Sequence, residues 1–283
     1  MPMANLTVKQ KTNFEGFPKA AEVIEITGAY SLEAADRAIH NLLYQHAHDS
    51  GRLSDPDAEW ELTFAEIRRP LGKHQSNDQV RESLKRLIKV QVTVHFLGRD
   101  GLPRTLQTHL FDFFDTSDGG GSRATVQYGI PKKLQPILAR SNRWGRVRCE
   151  VTYAMTSKYA IALYELISLR LNLTRTTESF AIAQFRELLN VPPGAYTRAD
   201  NFKAKVIDPA LLEVNGLSDI GVALELVRPR LRSPVSEVGV TWWRKEGDEY
   251  RAAIRERHRH KAGRTARLKG LVENIAAPSP VDT

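Results

Sequence analysis

Apolar positions in this chain follow one course twice. Leu32, Ala35, Ile39, Leu42 and Leu43 recur at helical spacing behind Ser31, a residue suited to capping a helix. Trp60, Leu62 and Phe64 then alternate, as in a short strand. Leu62 to Arg68 opens a second helix, ended by Gly72, and Val80 to Ile88 forms a third, capped by Ser76 or Asn77. Between residues 156 and 243 the course repeats. Thr156 or Ser157 caps a helix bearing Tyr159, Ile161, Leu163, Tyr164, Leu166 and Ile167. A second helix runs from Ile182 to Leu189 and stops at Pro192-Pro193-Gly194. A long third helix spans Tyr196 to Asn215, with Pro209 expected to bend it and Gly216 to close it.

Strands follow both helix triplets. In the first unit they are Val90–Leu97, Thr105–Asp115 and Arg123–Ile130, separated by Gly98–Gly101 and Ser117–Ser122. In the second they are Val222–Val227 and Val235–Trp243, with Arg228–Pro234 at the tip. Glu22–Ile26 and Val147–Tyr153 read as further short strands, and Pro131–Ala139 as a short helix or turn. Three helices and a hairpin make a winged helix, a helix-turn-helix whose last helix fits the DNA major groove. The expected fold is therefore α+β, two tandem winged helices related by a pseudo-repeat. The expected division is an N-terminal arm at 1–20, a first domain at 21–146, a second at 147–245 and a basic tail at 246–283. Within that tail one helix is expected from Tyr250 to Leu271, with Gly263 as its weak point.

Charge sharpens this picture. The 283 residues carry 41 Lys and Arg against 33 Asp and Glu, a net charge of +8, which suits a polyanionic partner. The basic residues cluster. Arg140, Arg143, Arg146 and Arg148 follow one another without an acid, and the stretch from Arg228 to Lys245 contains Glu237 as its one acid. Cys149 is the single cysteine, so neither an internal disulfide nor a zinc ribbon is available. His46-x-His48-Asp49 and His258-x-His260 lack a third ligand and read as surface histidines. The expectation is no metal and no cofactor. No apolar run reaches membrane-spanning length, no signal peptide is visible, and a cytoplasmic protein is expected.

The third helix of the second unit is the first candidate for reading bases. It offers Tyr196, Thr197, Arg198, Asn201, Lys203 and Lys205. Arginine can take guanine and asparagine adenine, each through two hydrogen bonds. The bland alternative is a solvated helix face. Arg228, Arg230 and Arg232 at alternate positions would share one strand face along a phosphate backbone, or else serve as an edge that resists aggregation. In the first unit Asn77, Gln79, Arg81, Lys85 and Lys89 form a second possible reader. Its larger aromatic sheet (Leu110, Phe111, Phe113, Phe114) suits a dimer interface equally well. Arg140, Arg143, Arg146 and Arg148 would contact phosphates along a connector. Arg251, Arg255, Arg257, Arg259, Lys261, Arg264, Arg267 and Lys269 would add nonspecific affinity or simply solvate the tail. No P-loop is present, and Tyr159 and Tyr164 lie on a helix expected to be buried, which argues against a tyrosine nuclease. No enzymatic activity is expected.

The second unit resembles a known family. The segment Ser157-Lys158-Tyr159-Ala160, with Leu163-Tyr164-Glu165-Leu166, is followed by Phe185-Arg186-Glu187-Leu188-Leu189. Then comes Phe202-Lys203-Ala204-Lys205-Val206-Ile207-Asp208-Pro209-Ala210-Leu211-Leu212-Glu213-Val214-Asn215. This pattern is similar to that of the iteron-binding plasmid replication initiators, which have two winged-helix domains. The first unit matches in layout. The resemblance implies monomers on direct DNA repeats at a plasmid origin, opening of adjacent AT-rich DNA, and recruitment of the host initiator and helicase. It also implies a homodimer that represses its own promoter from an inverted repeat. By the same resemblance Arg198, Asn201, Lys203 and Lys205 would read bases, and Arg228, Arg230 and Arg232 would hold the backbone. A repressor of the same fold without a replication role is the alternative.

Overall fold

In a computed structural model, residues 5–72, 75–98, 100–117, 124–230 and 233–271 are described. The first unit is built from α2 (Ala34–Asp49), β2 (Glu59–Thr63), α3 (Phe64–Leu71), α4 (Asn77–Lys89), β3 (Gln91–Leu97), β4 (Pro103–His109), β5 (Phe113–Thr116) and β6 (Thr125–Gly129). Capping boxes fix two helix starts. Thr63 Oγ1 accepts from Glu66 N at 3.1 Å while Glu66 Oε2 takes Thr63 N, and Ser76 with Gln79 does the same for α4. Asp36, fully buried on α2, receives Arg86 of α4 through two bonds at 2.7 and 2.8 Å, which locks the third helix onto the first.

The second unit repeats this order. Its elements are α7 (Lys158–Ser168), β8 (Thr177–Ala181), α8 (Ile182–Leu188) and a third helix of three segments. Those segments are α9 (Ala199–Phe202), a π-helical stretch (Lys203–Ile207) and α10 (Asp208–Leu217). A hairpin of β9 (Ile220–Val227) and β10 (Glu237–Arg244) follows. Its sheet runs β8-β10-β9. The first unit differs here. Its entering strand β2 pairs with β6 in the sheet β2-β6-β5, which leaves β3 and β4 as a separate two-stranded ribbon.

Between the units, β1 (Phe17–Ala20) pairs antiparallel with β7 (Trp144–Val147), flanked by α1 (Ala21–Ile24), α5 (Gln135–Arg140) and α6 (Cys149–Ala154). Several sequence expectations are corrected in this region. The arm expected at 1–20 ends in a fully buried strand. Lys19 lies inside because Glu165, from the second unit, and Asn41 receive its ammonium at 2.8 and 2.7 Å. Residues 21–24 are helical rather than extended. Cys149–Ala154 is a helix, so the strand expected at Val147–Tyr153 ends where it was expected to begin. The strand expected over Thr105–Asp115 breaks at Leu110 and Phe111, whose side chains turn into the core.

One apolar core runs through both units without interruption, from Phe17 to Trp242. Polar ties cross the same boundary. Asn190, held at φ 55°, accepts from Ala29 N at 2.8 Å and donates to Ile26 O at 3.1 Å. Lys158 donates to Tyr30 O at 2.9 Å. Asparagine tolerates the left-handed region better than most residues.

The C-terminal segment is two helices, α11 (Gly247–His258) and α12 (Arg264–Leu268), in place of one. Gly263 at φ 71° makes the break. Much of the expected basic surface is spent internally there. Glu256 receives Arg267 at 2.7 Å, and Arg264 is buried and donates to Ala154 O at 2.8 Å. Gly216 lies within α10, where Leu268 packs so closely that a Cβ would meet it at 2.3 Å.

Candidate nucleic-acid interface

The third helix of the second unit is positioned by residues of the motif quoted above. Glu213 accepts from the amides of Thr156 and Ser157, at 2.9 Å each, and so holds the start of α7. Asn215 pairs with both backbone groups of Val222 (2.8 and 2.9 Å) and fixes β9 beside the helix. Phe202, Val206, Ile207, Ala210 and Val214 face the core, which leaves Asn201, Lys203, Ala204, Lys205 and Asp208 in solvent.

The π stretch has a local cause. Pro209 offers no N–H to the carbonyl of Lys205, and its ring would crowd that carbonyl in an α-helix. The wider turn removes this conflict, and Asp208 N donates to Lys203 O instead. Pro209 therefore changes the helix register. Lys203 and Asp208, five residues apart, form an ion pair at 2.7 Å.

Thr197 and Arg198 lead into this helix, with Arg198 at the position before α9. They line a groove of about 520 Å³ together with Arg186, Asp200, Phe202, Leu226, Arg228 and Val235. The groove thus joins the start of the third helix to the base of the wing. Arg228 is exposed, and its Nη1 donates to Ser233 O at 2.7 Å. Arg230 is exposed at the tip, where its backbone N donates to Ser233 Oγ at 3.0 Å. Arg232 lies outside the described residues. The shared strand face is corrected for Arg228 and Arg230. β9 ends at Val227, Pro229 has no N–H for a ladder, and Ser233 folds the tip into a turn.

Tyr196 is half-buried at φ 50°, a conformation that costs a non-glycine residue roughly 1–2 kcal/mol. Its hydroxyl pairs with that of Tyr159, and burial pushes the Tyr159 phenol up to about 12. Sequence reading missed the residue that secures this turn. Arg186 of α8 donates through Nη1 to Tyr196 O at 3.1 Å and through Nη2 to Ala195 O, and it stacks over Phe202 at 4.8 Å. The available signal was an arginine between Phe185 and Leu188, the two buried positions of this helix, since a half-buried guanidinium requires partners.

In the first unit the candidate residues are more occupied. Gln79 is exposed, yet its side chain closes the cap on Ser76 N. Arg81 lies over the Phe64 ring at 4.7 Å and pairs with Asp78, and Lys85 pairs with Glu82 at 2.7 Å. Asn77 is half-buried, and Lys89 is exposed at the helix end.

The connector arginines separate. Arg140 is exposed. Arg143 reaches Glu25 at 3.2 Å, and Arg146 donates to Gly16 O and lies over Trp144. Arg148 is buried between Tyr250 and Asp219 and is removed from the phosphate set. His46 and His48 are corrected as well, while His258 and His260 are exposed as expected. His48 is buried with Nε2 at 3.2 Å from Thr7 O, and His46 Nδ1 is 2.9 Å from Tyr128 Oη.

Fold and groove together define a tandem winged-helix protein with exposed basic groups at the second recognition helix and wing. The chain belongs to the initiator replication protein family: the model of its first winged helix, WH1, matches residues 19–168, and that of the initiator Rep protein WH2 matches residues 181–236. Among solved structures it is similar to the Pi initiator protein in complex with iteron DNA. Identity is 14%, TM-score 0.61, and the match covers 81% of this chain and 97% of that one, which establishes a common fold. Domains 2 and 3 of RctB also match, at 11% identity and TM-score 0.45, over 74% of this chain and 82% of that one. No curated protein matches the chain. Among the described residues no helix is long and apolar enough to cross a membrane.

Proposed function

We propose that this chain is a plasmid replication initiator that binds repeated double-stranded DNA sites (iterons) at an origin. The carrying observation is the groove in which Thr197 and Arg198, at the entry to the recognition helix, meet Arg228 of the wing, in a chain of the initiator family. Residues 147–245 read bases through Arg198, Asn201, Lys203 and Lys205, while Arg228, Arg230 and Arg232 hold phosphates. Residues 21–146 supply further DNA contacts and a dimer interface. The similarity to an initiator bound to iteron DNA supports this assignment. Bound monomers promote opening of adjacent DNA and recruit the host initiator and helicase, and a dimer represses the chain's own promoter. This work is done by binding, with no bond chemistry required of the protein, in the bacterial cytoplasm.

Footprinting on the DNA flanking its gene, at a stated salt concentration, tests the reading. Regularly spaced protected direct repeats are expected. Protection confined to one inverted repeat at the promoter would make the protein a repressor instead. Absence of protection at moderate salt would overturn DNA reading altogether.

A further inference from the structure

The turn between α8 and the recognition helix is built in a form that its own sequence disfavours. Tyr196 occupies the left-handed region, where a side chain is held only if its surroundings over-determine it. Arg186 supplies that constraint. Two of its N–H groups take the consecutive carbonyls of Ala195 and Tyr196, and its planar face covers Phe202, the last residue of α9. One guanidinium thus ties the second helix, the turn and the first turn of the reading helix into a single unit. Arg198 and Asn201, the base-reading candidates, sit between the points it holds.

We propose that Arg186 is a positioning residue for sequence reading, which pre-orders the turn so that Arg198 and Asn201 meet the DNA without a prior rearrangement. It rests on the reading of this helix as the DNA reader. Arg186 differs from its neighbours in the groove. Arg198 and Arg228 are exposed, whereas the guanidinium of Arg186 is already committed to two carbonyls and a ring. A lysine cannot replace it fully, since a point charge lacks the planar fork that spans two acceptors.

The effect follows from population. If only a tenth of molecules hold the competent turn, the apparent Kd rises about tenfold. Full-length wild type, Arg186→Met and Arg186→Lys are compared on a duplex enriched by the wild type from a random library and on its shuffled counterpart. Arg186→Met is expected to weaken binding to the enriched duplex about tenfold, with Arg186→Lys intermediate and the shuffled duplex unaffected. Amide exchange should quicken from Ala195 to Asn201 while β9 and β10 keep their protection.

Equal affinity of wild type and Arg186→Met for the enriched duplex would overturn the positioning role alone. So would an equal loss on both duplexes with a salt slope lower by about 0.9, the mark of a lost phosphate contact. Loss of protection throughout the second unit in both variants would make Arg186 a residue of the fold only. A wild type that enriches no duplex would overturn the DNA reading, and this proposal with it.

Discussion

At the scale of residues, the interface rests on a few exposed groups. Arg198→Ala should cost about 1–3 kcal/mol of discrimination between a preferred duplex and its shuffled form, the value of one lost bidentate base contact. Lys203→Ala should also lose site preference, and thermal unfolding of both should match the wild type because both side chains lie in solvent. Unchanged site affinity in both would remove this helix as the reader. Asn201, Lys203 and Lys205 were legible from helical periodicity, since their apolar neighbours Phe202, Val206 and Ile207 fix which face is wet. Arg148 was not. A solvated arginine and one whose partners lie 71 and 102 positions away, Asp219 and Tyr250, look alike in a linear chain. Lys245 illustrates the same limit and adds a pH effect. It is buried with its ammonium on the carbonyls of Asn215 and Ser218, and burial lowers it from 10.5 to about 8 despite Glu249 and Asp219. The folded protein therefore holds this proton more weakly than the unfolded chain. The resulting penalty on folding is full below pH 8 and fades as pH rises from about 8 towards 10.5. Urea denaturation of wild type and Lys245→Met across this window should show their stability difference moving in favour of the wild type. A constant difference would mean the group titrates at its ordinary value.

At the scale of elements, the sequence pattern succeeds where an element is amphipathic on its own. The helix α4 and the hairpin β9–β10 each carry a period that states their buried face, whereas α7 is buried from Tyr159 to Ser168 on every side. The pattern fails for β1, which is buried on all sides, and for α6, a helix of six residues too short to show its period; the partners of both lie in distant segments. It fails also for the inside of the recognition helix. Pro209 was expected to bend it, and the helix widens into a π turn just before that residue. An α-helix advances about 100° per residue, so the residue absorbed by the wide turn resets the direction of the exposed Asn201 and Lys203 relative to Glu213 and Asn215. Pro209→Ala returns a donor to Lys205 O and permits the narrower helix. The expected result is a thermal midpoint equal to or above that of the wild type, with site affinity reduced about tenfold or more, comparable to a lost specific contact. Gel-shift titration and thermal unfolding of the same sample check both halves. Undiminished affinity would show that packing of Phe202, Val206 and Ile207 sets the register unaided.

At the scale of the whole molecule, two pseudo-repeated units share one core, and that has a thermodynamic consequence. Apolar contacts continue from Phe17 through α2, α6 and α7 to Trp242, so neither unit can expose its face of the boundary without cost to the other. The most sensitive point is the buried cluster of Lys19, Asn41 and Glu165, all within 2% of full burial. Lys19 donates to Glu165 at 2.8 Å, and Asn41 donates to the same carboxylate oxygen at 2.6 Å. Lys19→Met would leave the carboxylate without its hydrogen-bonded ion partner, with Asn41 as the neutral donor and only the longer-range charge of the buried Arg37. Breaking a buried pair from one side costs about 3–5 kcal/mol, whereas replacing both members by apolar groups is often neutral. Lys19→Met should therefore lower the urea midpoint strongly, and the added Glu165→Leu should restore much of it. Tryptophan placement allows both units to be followed. Trp60 and Trp144 report on the first unit and its flank, and Trp242 and Trp243 report on the second. Variants retaining one pair at a time should unfold at a common midpoint in the wild-type background, since the Lys19 cluster and the continuous core couple the units. Separate midpoints for the two pairs would refute that coupling. If the midpoints coincide in the wild type and part in Lys19→Met, the ion cluster itself, rather than the apolar boundary, holds the two units in one cooperative fold.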